Sequence, residues 1–63
     1  MMDSAELENK LLELMNGHEW DSDFTDGTTV TKTFKVETGG ATQFVSDTRQ
    51  YIYDSDHWAI HTS

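Results

Sequence analysis

The chain has 63 residues, twelve Asp and Glu against four Lys and Arg, a formal net charge of −8 at neutral pH, and no cysteine. This length supports one domain, residues 1–63, that buries only about 60% of its unfolded surface and needs a tight core, a homodimer or a bound partner, without disulfides or thiolate metal sites. The acidity excludes direct binding to the nucleic acid backbone or an anionic membrane surface, no stretch is apolar enough to span a membrane, and the acidic start is unlike a secretory leader, so a soluble, cytoplasmic protein is expected.

Leu7, Leu11, Leu14 and Met15 fall at i, i+4, i+7 and i+8, one stripe of a helix. Asp3 is placed to cap it, with Glu6 at capping-box spacing and Met2 where a hydrophobic staple to Leu7 belongs. Asn16 and Gly17 supply the stop, with Gly free to turn left-handed past the last turn. Glu6 and Lys10 make an i, i+4 pair on the outer face. A helix over residues 4–16 is predicted.

Trp20 and Phe24 follow as candidate core anchors, and Asp26-Gly27 is a dipeptide of the kind that joins hairpin strands. From Thr28 to Glu37 the period changes to two, with Val30, Lys32, Phe34 and Val36 on one face and mostly Thr on the other. That is a half-buried, β-branched strand. Gly39 and Gly40 end it. Residues 41–54 then support two readings. Ala41, Phe44, Val45, Thr48 and Ile52 fit a helical stripe, yet Phe44, Val45, Tyr51, Ile52 and Tyr53 favour strands and the two glycines suit a hairpin. The segment from His57 to Ser63 reads as a strand, with Trp58, Ile60 and Thr62 on one face and His57, Ala59 and His61 on the other. The fold class is therefore α+β. An N-terminal amphipathic helix packs on a small antiparallel β-sheet, with residues 41–54 either a second helix or further strands. Its core is Leu7, Leu11, Leu14 and Met15 against Phe34, Val36, Phe44, Ile52, Trp20 and Trp58.

Two acidic triplets stand between aromatics, Trp20-Asp21-Ser22-Asp23-Phe24 and Tyr53-Asp54-Ser55-Asp56-His57-Trp58. The first does not match a calcium loop, because Thr25, Asp26 and Lys32 occupy the positions that require an acid, Gly and Glu. His57 and His61 on a strand lie about 13 Å apart, too far for one metal. No nucleophile elbow supports a Ser, His, Asp triad, and no cofactor or metal is expected. Carboxylates at i and i+2 of a strand, about 6.6 Å apart on one face, approximate the repeat of phosphates along a nucleic acid strand. They suit a basic protein surface, the kind a nucleic-acid-binding protein presents. The expected partner-binding residues are Asp21, Asp23, Asp26, Asp47, Asp54 and Asp56, as acceptors for Arg and Lys, with Tyr53 as an exposed aromatic.

Two resemblances bear on function. Trp20 after the helix, the strand Thr33-Phe34-Lys35-Val36, Ala41 with Phe44 and Val45, and Asp56-His57 resemble, at pattern level and over nearly the whole chain, the pterin-4a-carbinolamine dehydratase family. That resemblance implies a second helix from Ala41 to the catalytic signature, with His57 as the acid/base group assisted by His61 or Asp56. Trp58 and Ala59 stand where the signature has its second His and Pro, and Tyr53 where it has a charged residue, so it implies a family fold without the activity. By size and charge the chain resembles phage-encoded inhibitors that mimic DNA, anti-CRISPR proteins among them. An inhibitor or binding module of this kind is the expected function.

Overall fold

The computed structural model describes residues 3–38 and 43–62 of the chain. Helix α1 (Ser4–Gly17) is followed by strands β1 (Thr29–Glu37), β2 (Phe44–Asp54) and β3 (His57–Ile60). The strands form an antiparallel sheet in the order β1-β2-β3, and α1 lies across one face of it against β3 and β1.

The helix begins as its sequence dictates. Asp3, in extended conformation, accepts the Glu6 backbone N–H on its side chain at 2.9 Å, satisfying one of the donors that a first turn leaves free. The staple expected from Met2 lies outside the described residues. The end differs from expectation. Gly17 stays in the helix and His18 terminates it in extended conformation (φ −70°, ψ 137°), so no left-handed glycine is used. Asn16 instead ties the helix end to the sheet: its side chain donates to the carbonyls of Leu12 (3.0 Å) and Trp58 (3.1 Å) and accepts from the Trp58 N–H at 2.6 Å. The Asn16 amide thus pairs with the outward backbone of edge strand β3 as a neighbouring strand would. Lys10 pairs with Glu13 at 3.7 Å rather than with Glu6.

Period two governs β1 as expected: Val30, Lys32 and Phe34 are half-buried and Val36 is buried, while the intervening residues are exposed. Residues 44–54 take the strand alternative, pairing with β1 from Thr29↔Ile52 to Glu37↔Phe44. The helix that the dehydratase resemblance places between Ala41 and His57 is β2 over residues 44–54. Gly39, Gly40, Ala41 and Thr42 lie outside the described residues. The Thr38 N–H donates to the Gln43 carbonyl at 2.9 Å where the two strands part.

Leu11, Met15, Val36, Tyr51 and Trp58 are buried, so every element contributes to one core. Three of the expected core residues differ. Leu14 is 36% and Phe44 50% exposed, and Ile52 is half-buried on the face away from the helix. Leu12 and Leu14 flank the Leu11–Met15 line on opposite sides, each about 80° off it, and the helix leans toward Leu12, which packs on the core. Phe44 and Ile52 share a face of β2 that its alternation sets opposite Tyr51 and Tyr53. The register pairs Tyr51 with Val30 and Ile60, and Tyr53 with Trp58, which puts the two tyrosines inside. Among the described residues no helix is long and apolar enough to cross a membrane.

Candidate functional site

Chain order determines where the acidic segments meet. The helix ends beside β3, where Asn16 holds Trp58, yet the next strand is β1 at the opposite edge. The connection, residues 18–28, must cross the end of the sheet that carries the β2–β3 hairpin. It is anchored there by aromatic contacts. Trp20 packs on Trp58 at 5.7 Å between ring centroids, and Phe24 packs on Trp58 at 5.0 Å and on Tyr53 at 5.8 Å. The connection closes with a turn in which the Thr28 N–H donates to the Thr25 carbonyl at 3.1 Å and Gly27 has φ +92°, the positive φ that the third position of a type II turn requires. Asp26-Gly27 is thus a turn, as expected, though it leads from irregular chain into β1 rather than joining two strands. Backbone pairing continues through it, from the Gly27 N–H to the Tyr53 carbonyl and from the Tyr53 N–H to the Thr28 carbonyl, both at 2.8 Å.

On the facing side, Ser55 and Asp56 make the two-residue link between β2 and β3, with φ of 52° and 66°. Both values are left-handed, as a type I′ hairpin turn demands, and neither residue is the glycine that suits such a turn best. The Asp26 carboxylate steadies it by accepting the Ser55 N–H at 3.1 Å. The second triplet is therefore wrapped around a turn, and the regular i, i+2 projection from one strand face applies to neither triplet.

Between these two segments is a cleft of about 490 Å³. Trp58, only 3% exposed, is its floor. Trp20, Phe24 and Tyr53 wall it, and the lining includes Asp23 from the first segment and Asp56 from the second. Of the expected partner-binding residues, Asp23, Tyr53 and Asp56 line the cleft, Asp26 braces its rim, and Asp21 is exposed beside Ser22 at the mouth. Asp54 is exposed but opposes His57 in the register, on the sheet face that alternation places away from Trp58. Asp47 does not join them. It holds the Arg49 guanidinium at 2.7 Å, and Arg49 reaches Glu8 of the helix at 3.6 Å, so this carboxylate helps tie the sheet to α1. Hydrogen bonding to Asp47 raises the Arg49 pKa.

Burial raises the pKa of the Tyr53 phenol, and the negative charges of Asp56, Asp26 and Asp23 raise it further. One side chain thus registers carboxylates from both segments. Residues 18–28 and 50–62 contain no Lys or Arg, while Glu19, Asp21, Asp23, Asp26, Asp54 and Asp56 all fall within them. His57 is exposed, and its Nδ1 lies 3.2 Å from the Ser55 carbonyl. His57 opens β3 and His61 lies just past its end at Ile60, short of the strand expected to Ser63, and both are outside the cleft lining. Among the described residues no three His, Asp or Glu side chains converge as a metal would need.

The sequence marks the acidic triplets and their aromatics, but it gives no local sign of Asn16. That residue reads as a helix stop, and its partner is 42 positions away. Comparison with protein-family models, curated proteins and solved structures finds no match to this chain.

Proposed function

We propose that this protein is a small acidic binding module, of inhibitor type, that occupies a basic surface on a protein partner, such as the surface a nucleic-acid-binding protein turns toward phosphates. The observation that carries this reading is the meeting of two cation-free, acidic, aromatic segments at one end of the sheet. Concave sites lined by one sign of charge focus the field and speed the approach of opposite charge. Carboxylates accept from Arg and Lys forks, and aromatic anchors held in place by packing supply interface energy at low entropic cost. The partner-binding set is Asp21, Asp23, Asp26, Asp56 and Tyr53, with Asp54 on the outer side of the hairpin. Asp47 is left out because Arg49 holds it.

The test is displacement. Proteins captured from a cell extract by the immobilised chain at low salt are challenged with duplex DNA, or with an uncharged polymer of similar size. Release by DNA alone is expected, because both ligands claim one basic surface. Partners that stay bound in excess DNA would overturn the phosphate-mimic reading.

A further inference from the structure

We infer that the cleft between the loop of residues 18–28 and the Ser55-Asp56 turn receives an arginine side chain of the protein partner, its guanidinium against the aromatic walls and its N–H donors on Asp23 and Asp56. This rests on the acidic-binding reading and names the group that enters the cleft.

The walls favour a cation. Phe24 and Tyr53 meet Trp58 edge to face, at 72° and 64° with centroids 5.0 Å apart in both pairs, so the rings form a corner rather than a flat stack. Ring faces carry negative potential and attract cations within about 6 Å. Trp20 already does this inside the molecule, where Lys32 Nζ lies 5.9 Å from its ring centroid. Lys32 is not among the residues lining the cleft. The carboxylates of Asp23 and Asp56 reject an anionic occupant and strand an uncharged one without donors, since both are acceptors only.

Arginine suits this geometry better than lysine. Its guanidinium is planar, stacks on aromatic faces, is weakly hydrated and offers five donors in a fork. A fork can serve two separate acceptors, here one from each segment, whereas an ammonium is a compact point charge with a tighter hydration shell.

The chain has two tryptophans, Trp20 and Trp58, and both line the cleft, so intrinsic fluorescence reads its occupancy. Three short peptides, identical apart from a central arginine, lysine or citrulline, are titrated into the intact protein. The arginine peptide should give a saturable change, and citrulline, the same shape without charge, should bind about tenfold more weakly. Asp23→Asn with Asp56→Asn should weaken the arginine peptide several-fold, and so should Tyr53→Leu, which keeps the net charge. Glu37→Gln, at the far end of β1, should not change it. Circular dichroism confirms that each variant is folded, and the exposed Asp56→Asn keeps the test open should Tyr53→Leu fail to fold.

Equal responses to arginine and citrulline would overturn the inference, and equal responses to arginine and lysine would overturn the choice of arginine. A DNA-displaceable partner whose binding is untouched by Tyr53→Leu would sink the cleft while the acidic-surface reading stands. A selective arginine response together with partners that DNA cannot displace would do the reverse.

Discussion

Asn16 does two jobs with one amide. It bonds back to the Leu12 carbonyl of its own helix, and it pairs with the N–H and C=O of Trp58. An edge strand exposes a row of such groups that invite another chain, and here the helix terminus takes two of them. Asn16→Ala removes these bonds, at about 1–3 kcal/mol for polar groups left partly unpaired. In a domain of this size each kcal/mol moves the melting temperature by roughly 4–8 °C, so a drop of about 4–24 °C is expected by calorimetry. The loss should also loosen the floor of the cleft, because Trp58 is held in position by that backbone pairing. Tyr51 is a residue of the opposite kind. It is fully buried, its hydroxyl has no hydrogen-bond partner among the described residues, and burial raises its pKa.

At the scale of elements, the β2–β3 turn is where local preference and structure disagree. Ser55 and Asp56 hold φ of 52° and 66°, and for a serine the left-handed region costs about 1–2 kcal/mol. Strain of this kind concentrates where function needs a particular side chain. Replacing the pair by Asn-Gly, the sequence type I′ turns prefer, should stabilise the protein by about 1 kcal/mol in denaturant unfolding while weakening partner binding, since Asp56 is lost from the cleft. Stability and activity then move in opposite directions.

The helix and β1 were legible from periodicity because each is amphipathic over its whole length. β2 was not, because its apolar residues fall on both faces. Phe44 and Ile52 alternate with Tyr51 and Tyr53, and only pairing with β1 and β3 decides which face meets the helix. The same holds for the cleft. Its residues are conspicuous in sequence, but their meeting depends on strand order, which sends the connection past the hairpin tip.

For the whole molecule, what matters about the charge of −8 is its placement. All four cations sit in ion pairs or over rings: Lys32 over Trp20, Lys35 over Phe44, Arg49 beside Asp47, and Lys10 with Glu13 on the helix. None of them lines the cleft, although Lys32 reaches the Trp20 wall from the sheet. Net charge alone aids solubility and steers any basic partner, whereas a binding site needs its carboxylates in one place. Two triple variants separate these. Asp21→Asn, Asp23→Asn and Asp56→Asn neutralise the cleft end, while Glu6→Gln, Glu13→Gln and Glu37→Gln remove the same number of charges elsewhere. The direct measurement is the affinity of each variant for a captured partner at one fixed ionic strength. Binding should fall about tenfold or more for the first and change by less than about twofold for the second. Equal losses in the two would show that total charge, and not the cleft, holds the partner.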